Sequence, residues 1–131
     1  MEKILVIDDD ELSRALYRTV LEQKDYLVVD CENGTDGVDV YKGGGIDLVI
    51  TDIFMEDKDG LEVIEELVAH DPNVKVFAIT GAASSRIGAP DYLEMAKTCG
   101  ARDVFAKPID WKEMLSKLEE VLKAEMVEVT S

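Results

Sequence analysis

A chain of 131 residues, nearly half of them apolar and a third charged, has room for one domain with one core and not for two. Its formal net charge of −15 opposes general affinity for nucleic acid, whose phosphates it repels, and suits a divalent cation or a basic partner surface. No apolar run approaches the ~20 residues that a membrane span needs, and the start, Met1-Glu2-Lys3, lacks the basic flank and long apolar segment of a signal peptide.

Two periods alternate along the chain. Ile4 to Ile7 is a continuous apolar run rich in β-branched residues, as in a strand covered on both faces. Leu12, Ala15, Leu16 and Val20 then make a helical stripe. Leu27 to Val29 gives a second strand, and a weaker helix is expected from about Thr35 to Tyr41. A third strand, Leu48 to Ile50, precedes the helical stripe of Leu61, Ile64, Leu67 and Val68. Val74 to Ile79 reads as strand again, followed by a weaker helix from about Pro90 to Cys99 that Gly100 ends. Val104 to Ala106 is the last strand. Trp111, Met114, Leu115, Leu118, Val121 and Leu122 follow the i, i+3, i+4, i+7 spacing of an amphipathic helix, with Asp110 placed as its cap. The tail from Lys123 to Ser131 reads as loose. Met55, Met95 and Met114 read as core, and His70, the sole histidine, as a surface residue near a helix end. Cys31 and Cys99, far apart and without a CxxC pair, read as reduced, partly buried thiols of a cytoplasmic protein.

Strand and helix alternating five times predict an α/β fold: a doubly wound, five-stranded parallel sheet of order 2-1-3-4-5, a flavodoxin-like (α/β)5 sandwich. In such a sheet the residues just past each strand converge on one edge. Here they are Asp8, Asp9 and Asp10, then Thr51 and Asp52, then Thr80 and Gly81, then Lys107 and Pro108. Two unit charges about 5 Å apart at an effective dielectric of about 20 repel by about 3 kcal/mol. One lysine cannot neutralise several aspartates, so a divalent cation is expected among them. All-oxygen ligands with room for water favour Mg²⁺, with Mn²⁺ a substitute. A carboxylate nucleophile beside a cation and an ammonium clamp suits phosphoryl transfer, which needs mainly positioning and charge neutralisation. The plain alternative for Asp8 to Asp10 is a helix cap near Glu11, and one of them can do both.

The segments ILVIDDDELSR, DLVITDIFMEDKDG, VFAITGA and GARDVFAKPI closely resemble, in order, the four signature regions of response-regulator receiver domains, across about residues 3 to 123. The resemblance implies a single-domain receiver over 1–125 with a short polar tail at 126–131. It implies Asp52 as phosphoacceptor and metal ligand, Asp9 as a direct ligand and Asp8 as a ligand through water. It further implies the main-chain carbonyl of Phe54 as a ligand, Thr80 bonding a phosphoryl oxygen, and Lys107 paired with Asp52 and then with the phosphate. A cis Lys107-Pro108 bond also belongs to the family pattern. The expected donor is a sensor histidine kinase, a histidine phosphotransfer protein or a small phosphodonor, and the output an unidentified partner protein, without direct binding of nucleic acid or membrane. The chain then catalyses only its own phosphorylation and dephosphorylation. It either ends a pathway, or relays the group to another histidine, or is the receiver of a longer regulator; the Met1 start and polar tail favour a complete short protein.

Four departures from the family pattern carry expectations. Glu56 stands where proline is common, adding charge and freedom beside Asp52. Val104 stands where an aromatic side chain usually reports activation, and Phe105 should point to the opposite face. Gly81 to Pro90 is longer than usual, either a partner-specific surface or a tolerated insertion, and the switch is expected to be read out mainly there. Phe54 and Ala82 cannot orient an attacking water, so slow self-hydrolysis of the aspartyl phosphate is expected. Two other classes fit worse. Asp-nucleophile phosphatases and dehalogenases place a second acid where Phe54 stands, and flavin modules need a hydroxyl- and glycine-rich loop where this chain has three aspartates.

Overall fold

The computed structural model describes residues 1–81 and 91–130, with side chains up to Lys123. Its elements are β1 (Lys3–Ile7), α1 (Glu11–Gln23), β2 (Leu27–Cys31), α2 (Gly34–Lys42), β3 (Leu48–Asp52), α3 (Gly60–His70), β4 (Val76–Thr80), α4 (Tyr92–Cys99), β5 (Asp103–Ala106) and α5 (Trp111–Thr130). The strands form one parallel sheet in the order β2-β1-β3-β4-β5, as the alternation of periods predicts.

Each face of the sheet is sealed by its own apolar layer. Ile4 and Val6 of β1, Leu48 and Ile50 of β3, Phe77 and Ile79 of β4 and Phe105 of β5 pack with Tyr17 and Leu21 of α1 and with Met114 and Leu118 of α5. Leu5 and Ile7, Val49, and Val76 and Ala78 face the other way, onto Val38 of α2, Val63, Ile64 and Leu67 of α3, and Ala96 of α4. A strand's period of two therefore sorts every central residue into one layer or the other. Each buried Leu, Ile or Phe contributes roughly 1.5–3 kcal/mol. Carboxamide and carboxylate caps start the helices: Asp10, Asn33, Asp59 and Asp91 each accept a backbone N–H from three residues on, and Asp110 accepts from Glu113. Gly100, at φ 122°, ends α4 in a conformation that a side chain would resist.

Three sequence expectations change. The stripe read on α1 has the right period and the wrong phase. Leu12 is 80 % and Leu16 51 % exposed, whereas Tyr17 and Leu21 are buried. The phase is fixed by polar anchors that hydrophobicity ignores: Arg14 Nε lies 3.3 Å from one Asp30 oxygen and Arg18 Nη2 2.9 Å from the other, turning that side of α1 toward β2. Met95 is exposed rather than core, while Met114 is fully buried and Met55 partly so. The tail is not loose along its backbone, since α5 continues to Thr130; Ala124, Glu125 and Met126 are good helix formers with no breaker among them. His70 is exposed at the end of α3, and both cysteines are free thiols, as read.

Candidate functional site

β1, β3 and β5 each deliver a charged residue to the carboxyl edge of the sheet on the same face. Asp8 continues the series Ile4, Val6; Asp52 continues Leu48, Ile50; Lys107 continues Phe105. The Asp8 N–H still donates to the Cys31 carbonyl at 3.1 Å and the Lys107 N–H to the Thr80 carbonyl at 2.8 Å, so both residues are held by sheet-like bonds just beyond their strands.

Asp8, Asp9 and Asp10 divide the work that the sequence left open. Asp10 caps α1, accepting the Ser13 N–H at 3.0 Å and the Ser13 hydroxyl at 2.7 Å. Asp9 is exposed. Asp8 is 1 % exposed, its main-chain carbonyl accepts from Arg14 Nη1 at 2.8 Å, and its Oδ1 accepts the Asp10 N–H at 2.9 Å. Its Oδ2 has no hydrogen-bond partner among the described residues. Burial above all, and the neighbouring Asp52 carboxylate, push the Asp8 pKa up, against the Asp10 N–H, which lowers it.

Asp52, buried at 7 % exposure, accepts the Phe54 N–H through Oδ1 at 3.2 Å and the Lys107 ammonium through Oδ2 at 3.1 Å. Lys107 Nζ also lies 3.6 Å from Asp8 Oδ2, an ion pair beyond hydrogen-bond reach. Burial works against the lysine's charge, but Asp52 and Asp8 outweigh it and hold its pKa above the ordinary value. One ligand oxygen each from Asp8, Asp9 and Asp52 falls within 4.8 Å of the others. Three carboxylates against one ammonium, an oxygen-only donor set and an Asp8 oxygen that accepts no hydrogen bond among the described residues fit a hard divalent cation.

Thr80 is fully buried at the end of β4, and its hydroxyl faces the Gly81 carbonyl at 3.5 Å. It continues the series Val76, Ala78, opposite to the face of Ile79 and Phe105. Thr80 therefore meets the site from the other side of the sheet, where Val104 also packs. Phe105 turns away from Val104 and packs on Phe77 at 5.2 Å, as alternation predicts. The Lys107-Pro108 bond is cis, and Glu56 is exposed in the loop beside Asp52. Ala82 and the segment that follows it up to Pro90 lie outside the described residues.

Sequence reasoning missed two residues and one contact at this edge. A Cβ on Gly60 would lie 2.3 Å from the Asp52 carbonyl oxygen, so only glycine lets α3 start hard against the end of β3; the Asp59-Gly60 pair was its signal. Phe54 packs edge-on against Tyr92 of α4, with ring centroids 4.7 Å apart. Tyr17, lost with the phase of α1, is buried in the layer on the face of the sheet that carries Asp8 and Asp52.

A doubly wound sheet whose carboxyl edge joins a buried aspartate to a lysine and two further aspartates defines the class. Residues 4–119 match the family described as the response regulator receiver domain. The chain belongs to that family. It is 34 % identical over 124 residues to the chemotaxis protein CheY of Treponema pallidum, covering 92 % of this chain and 83 % of that protein. It is 30 % identical over 121 residues to sporulation initiation phosphotransferase F of Bacillus subtilis, covering 92 % and 94 %. Among solved structures, the response regulator TrrA of Thermotoga maritima in complex with Mg²⁺ and BeF superposes with a TM-score of 0.79 at 28 % identity, over 92 % of this chain and 98 % of that one. Among the described residues no helix is long and apolar enough to cross a membrane.

Proposed function

We propose that this receiver domain is a phosphoacceptor switch in which Asp52 takes a phosphoryl group from a phosphohistidine, on a sensor histidine kinase or histidine phosphotransfer protein, or from a small phosphodonor. The observation that carries the reading is the Asp52 carboxylate itself, clamped by Lys107 at 3.1 Å and grouped with Asp8 and Asp9. A carboxylate oxygen attacks phosphorus, the bond from phosphorus to the donor's nitrogen or oxygen breaks, and its electron pair leaves with the donor. Lys107 stays within reach of the growing negative charge, and Thr80 is the hydroxyl available to a phosphoryl oxygen. Asp8, Asp9, Asp52 and the Phe54 carbonyl would hold Mg²⁺, or Mn²⁺ in its place, which when bound supplies charge neutralisation at the phosphoryl oxygens. The only chemistry in this reading is on the chain itself, and its product is a changed surface for a partner protein. Leu16, half-exposed on α1 in a cleft also lined by Lys107, Pro108 and Trp111, offers the donor protein an apolar rim.

A second reading is favoured by the relative named a phosphotransferase: the group passes on from Asp52 to another histidine. Phosphorylating the protein and then adding a histidine phosphotransfer domain separates the two. A terminal switch keeps the label, and a relay loses it to the added domain.

A further inference from the structure

Tyr17 carries a phenolic hydroxyl into the core. Its side chain is 2 % exposed, its ring meets Trp111 edge-on at 5.3 Å, and its hydroxyl has no hydrogen-bond partner among the described residues. A buried hydroxyl without a partner is a standing cost, and a phenylalanine of the same shape would avoid it. Among the described residues, the other buried side-chain atom in this condition is Asp8 Oδ2.

The two lie on the same face of the sheet. Strand alternation puts Asp8 and Asp52 over the layer formed by Ile4, Val6, Leu48 and Ile50, and Tyr17 belongs to that layer. Tyr17 and Lys107 also line one cleft with Ser13 and Leu16. Burial above all, then the Asp8 and Asp52 carboxylates, push the Tyr17 phenol's pKa up. The phenol therefore stays an O–H donor, on the face of the sheet that carries Asp8, whose Oδ2 accepts no hydrogen bond among the described residues.

We propose that Tyr17 is a positioning residue for the cation site, whose hydroxyl donates toward the free oxygen of Asp8, directly or through one water, when a divalent cation is bound. This rests on the cation reading of Asp8, Asp9 and Asp52, and its test separates the two.

The full chain, Tyr17→Phe, Asp8→Asn and the double variant are each melted without divalent cation, then titrated with Mg²⁺ while backbone amide shifts are followed. Tyr17→Phe is expected to melt no lower than the parent without cation and to bind Mg²⁺ roughly tenfold more weakly, the worth of one hydrogen bond to a charged group. In the Asp8→Asn background the same change should alter Mg²⁺ affinity by less than about twofold, because the acceptor charge is gone. Equal affinity of Tyr17→Phe and the parent overturns the role of Tyr17 alone. A lower melting point of cation-free Tyr17→Phe overturns it too, since the hydroxyl is then already used in the free protein. No Mg²⁺ binding by the parent overturns the cation reading and this inference with it.

Discussion

Lys107 Nζ stands between two buried carboxylates, 3.1 Å from Asp52 Oδ2 and 3.6 Å from Asp8 Oδ2. It is the one cation within ion-pair distance of either among the described residues. Removing it leaves both charges uncompensated. Lys107→Met is expected to slow phosphorylation of Asp52 at least tenfold while Mg²⁺ still binds, because the cation's ligands are untouched. Labelled-phosphate incorporation and a Mg²⁺ titration on the same variant check the two halves.

Asp8 sets a pH dependence of opposite sign to that of most paired carboxylates. Its folded-state pKa is raised from 3.8, chiefly by burial, so the folded state holds its proton more tightly than the unfolded chain. Its contribution to stability is fully present below pH 3.8 and is lost as pH rises through the raised value. Asp8→Asn should therefore stabilise the cation-free protein at pH 7, and the gain should vanish below pH 3.8. Melting both proteins across this range tests the sign; a gain that grows toward acid would contradict it.

A cation that binds only the folded state stabilises it by mass action. At a hundredfold excess over its dissociation constant, Mg²⁺ should add about 2.7 kcal/mol of stability. Asp9→Asn removes an exposed carboxylate of the proposed cation site without disturbing the core, and should abolish most of that increment while leaving the cation-free melting point nearly unchanged.

Gly60 is constrained by the acceptor's own backbone. A methyl group there meets the Asp52 carbonyl oxygen at 2.3 Å and the Ile53 Cα at 2.6 Å. Gly60→Ala should cost about 1–3 kcal/mol in urea unfolding, the usual range for overpacking. It should also slow phosphorylation, because the strand end that carries Asp52 has to shift.

Phe54 fills the position beside the acceptor with an aromatic ring held against Tyr92. The Phe54 ring offers no group to orient water at phosphorus, so the aspartyl phosphate should decay slowly for this family. Phe54→Asn, which supplies an amide there, should shorten its lifetime several-fold. Loss of label within seconds from the parent protein would contradict the expectation.

The sheet order and the carboxyl-edge site could be read in the sequence because both follow from strand period and chain order alone. Asp8, Asp52 and Lys107 needed only to be counted past the ends of three apolar runs. A helix cap among Asp8 to Asp10 was readable, but not that Asp10 alone is the cap, since that depends on where Ser13 falls on the first turn of α1. The phase of α1 failed for a related reason: Leu12 and Leu16 look as apolar as Tyr17 and Leu21, and the choice is made by Arg14 and Arg18 meeting Asp30 across the gap to β2. That error concealed Tyr17. The contact of Phe54 with Tyr92 joins segments far apart in the chain, and no local pattern encodes it.

The most direct test of the phosphoacceptor reading is the intact mass of the full chain after incubation with Mg²⁺ and acetyl phosphate, beside that of Asp52→Asn. The parent should gain one phosphoryl group, lost again on mild base, and Asp52→Asn should gain none. No gain by the parent, or equal gain by the variant, would contradict it.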